Sequence, residues 1–196
     1  MTTNQANSQW TADINEAVRV MRAGGVILYP TDTIWGLGCD ARNSEAVERI
    51  FRIKERADSK ALICLVDSMA MLERTVGDVP EAAEQLIEVA VEPLTIVYDH
   101  GMNVAPQLCA SDGSIGVRLT REPFSKGLCA AMRGPVVSTS ANISGEPAAM
   151  SFHEISKQIV DAVDYVCLSR RDEPSQAKAS TVIKISAGGL FKILRK

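Results

Sequence analysis

Short apolar runs alternate along this chain with segments whose apolar residues repeat every three to four positions. That alternation limits the available folds more than any other feature. VILYPT (26–31), LICLV (62–66), LTIVY (94–98), SIGVRLT (114–120), VVSTS (136–140), DYVCLS (164–169), STVIKI (180–185) and LFKILR (190–195) read as strands. Trp10, Ile14, Ala17, Val18 and Met21 recur at helical spacing before a Gly24–Gly25 stop. A second helix from Asn43 to near Lys54 places Ala46, Val47, Ile50 and Phe51 on one side, a third runs from Pro80 to about Val91, and others fall near 123–132 and 151–162. Strands interleaved with helices predict an α/β fold. At 196 residues a single domain is expected over 11–196, preceded by a flexible polar tail over 1–10.

Composition removes several function classes. Lys and Arg number 21 against 24 Asp and Glu, a net charge of −3, so the chain does not grip nucleic acid over its whole surface and any RNA contact is local. Cys39, Cys64, Cys109, Cys129 and Cys167 are an odd, widely spaced set without a C-x-x-C pair, which opposes both a disulfide scaffold and a zinc module. They read as small buried hydrophobes. The N-terminus lacks a basic region followed by an apolar stretch, and no apolar run reaches the roughly 18 residues of a membrane span, so a cytoplasmic protein is expected.

Chemistry is carried by polar residues on strands that need only apolar ones to fold. Strand side chains alternate faces, so Ser114, Gly116, Arg118 and Thr120 share one side, and Ser138 and Ser140 share one side with Asn142 following in register. A guanidinium fork and a row of hydroxyls suit carboxylate or phosphate oxygens. Singly, such residues are ordinary on a solvated strand face. Within RIKERADSK and just before it, residues 49–60 hold five cations (Arg49, Arg52, Lys54, Arg56 and Lys60) against Glu55 and Asp58. Cations at a helix C-terminus complement its dipole, but that does not explain those beyond the helix end. Residues 73–92 carry six carboxylates against Arg74 alone, so charge is segregated along the chain. YPTDTIWGLG sets Thr31, Asp32 and Thr33 at a strand end, where open α/β sheets bind ligands. No P-loop or dinucleotide fingerprint occurs, and His100 and His153 lack partners at ligand spacing.

These three clusters, in this order, resemble the YrdC family, the threonylcarbamoyl-adenylate synthases. The likeness runs from about residue 12 to Arg195 through YPTDTIWGLG, IKERADSKALI, STSANISGEPA, ASTVIKI and ILR. It is to the short, single-domain form. The resemblance implies a twisted open mixed sheet with helices on its faces and a concave, positively charged cavity. It implies a nucleotidyltransferase that makes threonylcarbamoyl-AMP and pyrophosphate from L-threonine, bicarbonate and ATP, with Mg²⁺ bridging the phosphates, for N6-threonylcarbamoyladenosine in tRNA. Implied partners are a tRNA or double-stranded RNA contact and a downstream threonylcarbamoyl-transferase complex, with no membrane.

Carried over, the resemblance implies that Lys54, Arg56 and Asp58 hold the triphosphate, with Ser140 and Asn142 beside it. Ser114, Ala148 and Arg195 then meet the nucleotide. Arg118 clamps the threonine carboxylate, with Thr31, Ile63, Ser138 and Ser180 around it. No residue is assigned acid–base chemistry and none binds a resident metal. Ala57 and Ala61 stand where the family pattern has prolines, and Trp35 where it more often has Tyr. Alternatives are a YrdC-like RNA-binding protein without synthase activity, or a paralogue transferring carbamoyl to another acceptor.

Overall fold

The computed structural model describes residues 3–55, 62–173, 179–186 and 190–195, the side chains of 3–8 excepted. Along the chain run α1 (Thr3–Arg22), β1 (Ile27–Tyr29), β2 (Gly36–Gly38), α2 (Ser44–Ile53), β3 (Ile63–Val66), α3 (Met69–Val76), α4 (Glu81–Val89) and β4 (Leu94–Tyr98). Then follow β5 (Ile115–Leu119), α5 (Pro123–Met132), β6 (Val136–Ser140), α6 (Lys157–Ala162), β7 (Tyr165–Val166), β8 (Thr181–Ile185) and β9 (Phe191–Arg195).

The strands form one mixed sheet in the order β7-β1-β2-β6-β3-β5-β4-β8-β9. The β1–β7, β3–β5 and β4–β8 pairs are parallel and the others antiparallel. The α/β expectation holds. Helices α1, α3 and α5 pack against the sheet, and Trp10 meets Phe124 edge-on at 6.0 Å between ring centroids. In α2 the predicted stripe Ala46, Val47, Ile50 and Phe51 is buried, and each large apolar side chain so buried contributes about 1.5–3 kcal/mol. Asn43 caps that helix through its side chain, which accepts from the Ala46 N–H at 3.1 Å. Gly24, at φ +85°, ends α1 where a side chain would be strained.

α1 starts at Thr3, inside the segment 1–10 expected as a polar tail. No Gly or Pro lies between Thr3 and Trp10, and each residue added to an anchored helix gains a backbone hydrogen bond. The anchor is Asp13, 3 % exposed, whose carboxylate accepts from the Tyr165 hydroxyl (2.7 Å) and from the Leu168 and Ser169 N–H groups (3.0 and 2.7 Å). β2 and α3 lay outside the sequence reading: one is three residues long and flanked by turn chemistry, the other follows β3 after two residues. The helix expected over 151–162 divides into a 3-10 turn at Phe152–Glu154 and α6. Among the described residues no helix is long and apolar enough to cross a membrane.

Burial raises all five thiols, Cys64 to about 12; Cys39, Cys64, Cys129 and Cys167 are buried, while the expectation of burial is corrected for Cys109, which is partly exposed and so accessible. Thiolate is the reactive form. A short exposure of the native protein to iodoacetamide should therefore label Cys109 alone, and denaturation should release all five, as read by mass spectrometry.

Candidate active site

Four neighbouring strands build the floor of the site. In their register Gly36 faces Ser140, Ile63 faces both Ser138 and Gly116, and Arg118 lies two residues beyond Gly116. The alternation expected from sequence therefore brings Arg118, Ser138 and Ser140 onto one face although residues 118 and 138 are on different strands. A cavity of about 350 Å³ opens there. At Gly36 a Cβ would come within 3.0 Å of the Thr139 carbonyl oxygen and 3.6 Å of Ser138 Oγ, so the glycine keeps the floor open.

Arg118 is 5 % exposed and lines the cavity. Its Nη1 donates to Asp32 Oδ1 at 2.5 Å, and Asp32 is itself mostly buried. Burial lowers the guanidinium pKa and raises that of the Asp32 carboxyl, while each charge favours the ionised form of the other. Arg118 Nε is buried with no hydrogen-bond partner among the described residues. A buried guanidinium N–H without an acceptor is costly, and an anionic ligand oxygen is the chemistry that satisfies it. Thr31 is positioned by the turn it starts: its Oγ1 donates to the Ile34 carbonyl at 2.7 Å and accepts from the Thr33 N–H at 3.1 Å.

Lys54 follows α2 and is 2 % exposed. Its ammonium does not line the cavity; it donates to the Ser140 and Asn142 carbonyl oxygens, the latter at 2.6 Å. The Ser144 N–H returns a bond to the Lys54 carbonyl at 2.9 Å. Asn142 also faces inward to this loop, its Nδ2 donating to the Ile143 and Glu146 carbonyls at 3.0 and 2.7 Å. Lys54 and Asn142 together hold the segment after β6 in shape. A second cation of the same cluster, Arg49, is paired with Asp164 at 2.5 Å and the Ala162 carbonyl at 2.8 Å.

The remaining sequence-predicted residues divide. Thr31, Ile63 and Ser138 line the cavity with Arg118, and so do Ser140, Ala148, Ser180 and Arg195. Ser180 shares a hydrogen bond with Thr95 Oγ1 at 3.0 Å, and its carbonyl accepts from Arg195 Nη2 at 3.0 Å, which ties β9 to the cavity wall. Ser114 is not among the lining residues: its hydroxyl donates to Asp112 Oδ1 at 2.6 Å, and Asp112 pairs with Lys184 at 3.0 Å. Arg56 and Asp58, with Lys60, Ala57 and Ala61, lie outside the described residues. The sequence reading left out Met150 and gave Trp35 no role. Trp35 lines the cavity and packs on Phe152 at 4.9 Å, itself covered by the Arg171 guanidinium at 4.7 Å. An aromatic inside a turn motif was the available signal for Trp35; nothing local marks Met150.

Among the described residues no three or more His, Cys, Asp or Glu side chains stand together as a metal site. The donors present suit anions: a buried guanidinium, hydroxyls and backbone N–H groups.

The family model Sua5_yciO_yrdC, described as "Telomere recombination", matches residues 19–196. A protein of Stutzerimonas stutzeri (strain A1501) named threonylcarbamoyl-AMP synthase is 37 % identical over 166 residues, covering 83 % of this chain and 89 % of that one. The structure of P. abyssi Sua5 complexed with L-threonine superposes with a TM-score of 0.78 at 30 % identity, over 88 % of this chain and 50 % of the other. E. coli YciO superposes at 0.79 and 27 % identity, over 93 % and 88 %. The chain thus spans half the length of the Sua5 chain and most of the other two. With the mixed sheet, the cavity motifs and a family match over most of its length in agreement, this chain belongs to the Sua5/YciO/YrdC family.

Proposed function

We propose that this protein is a threonylcarbamoyl-AMP synthase, forming the adenylate and pyrophosphate from L-threonine, bicarbonate and ATP. The observation that carries the reading is Arg118: a nearly buried guanidinium, one N–H unpartnered, on the floor of a hydroxyl-lined cavity. The threonylcarbamoyl-AMP synthase name of the Stutzerimonas relative and the threonine-bound Sua5 structure support the substrate class.

Arg118 takes the threonine carboxylate, while Thr31, Ser138 and Ser180, which line the same cavity, meet the rest of the amino acid. The deprotonated threonine amine attacks carbon dioxide, formed from bicarbonate by loss of hydroxide, and its released N–H proton joins that hydroxide as water, giving a carbamate. A carbamate oxygen then attacks the α-phosphorus, and pyrophosphate leaves. Ser140 and the loop that Lys54 holds border the triphosphate, with Arg56 and Asp58 next in the motif, and Ala148 and Arg195 border the nucleoside. Asn142 serves through the loop it shapes. Ser114 acts at most through Asp112, given its bond there. Such a reaction is served by positioning and charge neutralisation more than by a strong acid or base. Mg²⁺ enters with the phosphates of ATP, since the described residues offer it no cage of their own.

Protein mixed with ATP, threonine, bicarbonate and Mg²⁺ should release pyrophosphate only when threonine and bicarbonate are both present. Release without threonine would overturn the reading. Salt-sensitive RNA binding without any pyrophosphate would favour an RNA-binding module in its place.

A further inference from the structure

Asp32 is the second charge of the site and has no part in the chemistry above. Its carboxylate holds Arg118 Nη1 at 2.5 Å, so it takes one end of the guanidinium fork and leaves the Nε edge without a partner among the described residues. It does not line the main cavity; it lines a smaller one of about 140 Å³ on its other side, so it backs Arg118 and does not stand in front of it. Among the described residues, Glu122 and Arg170 pair with each other at 3.0 Å, and Arg170 also donates to the Thr31 carbonyl. Arg195 lines the same cavity as Arg118, but it is exposed and bonded to Ser180, so solvent screens its charge. Arg118 and Asp32 therefore form a nearly buried pair with no net charge.

A neutral buried pair has a consequence for what it binds. A simple carboxylate added to it leaves an uncompensated negative charge in a poorly solvated place, which is costly. A zwitterionic amino acid brings its own ammonium and leaves the site neutral. We propose that Asp32 is a positioning residue that fixes the Arg118 fork and, by cancelling its charge, makes the pocket select the zwitterionic amino acid over carboxylates that lack an amine. This rests on the reading of Arg118 as the threonine carboxylate site.

The test compares wild type, Asp32→Asn and Asp32→Glu in pyrophosphate release, with 3-hydroxybutanoate, threonine without its amine, as competitive inhibitor. In Asp32→Asn the threonine KM should rise about tenfold or more, the size expected for loss of a charged hydrogen bond, while the ATP KM stays within about twofold. The ratio of the inhibition constant of 3-hydroxybutanoate to the threonine KM should fall about tenfold in Asp32→Asn, because Arg118 is then an unbalanced cation, and should stay near the wild-type value in Asp32→Glu. An unchanged ratio in Asp32→Asn, a changed ratio in Asp32→Glu, or an ATP KM rising in step with that of threonine would overturn the proposal. Ligand-dependent melting reads the same preference without turnover: relative to threonine, 3-hydroxybutanoate should stabilise Asp32→Asn more than it stabilises wild type. The same relative stabilisation in both proteins would overturn it. Should Asp32→Asn not fold, a changed Asp32→Glu ratio still overturns the proposal. Wild type that releases no pyrophosphate would overturn the synthase reading, while the melting comparison would still judge the pairing of Asp32 with Arg118.

Discussion

Arg118→Lys should raise the threonine KM about a hundredfold or more while leaving the ATP KM within about threefold, since loss of a buried, hydrogen-bonded charge contact costs about 2–5 kcal/mol. Lysine keeps the positive charge that Asp32 needs, so folding is preserved; what it loses is the planar fork that meets a carboxylate with two parallel N–H groups. Initial rates measured against each substrate check this. An unchanged threonine KM would place the carboxylate elsewhere, and equal rises for both substrates would mean that Arg118 supports the cavity as a whole. Arg118→Met is the less informative variant, because it strands Asp32 in a mostly buried position and confounds binding with stability.

The second large effect is expected at Lys54. Lys54→Met keeps most of the stem and removes the ammonium that the Ser140 and Asn142 carbonyls accept from. Two charged hydrogen bonds at a nearly buried position are together worth about 3–6 kcal/mol. For a domain of this size that lowers Tm by about 6–24 °C. ATP affinity should fall about tenfold or more, because the loop beside the triphosphate loses its strut and an interaction of this kind is worth at least about 1.4 kcal/mol. Calorimetry and an ATP titration separate the two readouts. A large loss of ATP affinity with an unchanged Tm would mean that the ammonium leaves the loop and acts on phosphate directly; a Tm loss with unchanged affinity would make Lys54 structural only.

Much of the candidate site was legible along the chain. Alternation within SIGVRLT and VVSTS placed Arg118 with Ser138 and Ser140, and the Thr-Asp-Thr turn after β1 stood where sheets of this kind bind ligands. Ser114 shares the face of Arg118 by the same rule, and it lies just before β5, where Asp112 takes its hydroxyl. Lys54 shows how far a helix-end signal reaches. A cation at a helix end signals a partner, and free carbonyls, a phosphate and a loop elsewhere in the chain all fit that signal equally well.

Residue type and period alone therefore determined the α/β layout, the apolar side of α2, the burial of four of the five cysteines and the face shared along each strand, because these depend on neighbours a few positions away. Only the tertiary structure decided that Asp32 balances Arg118 and that Lys54 ties down the loop after β6. Both contacts join residues 86 positions or more apart, the second through backbone carbonyls at Ser140 and Asn142. A carbonyl acceptor is the same at every residue, so its partner is chosen by where the chain brings it and leaves no mark in the sequence.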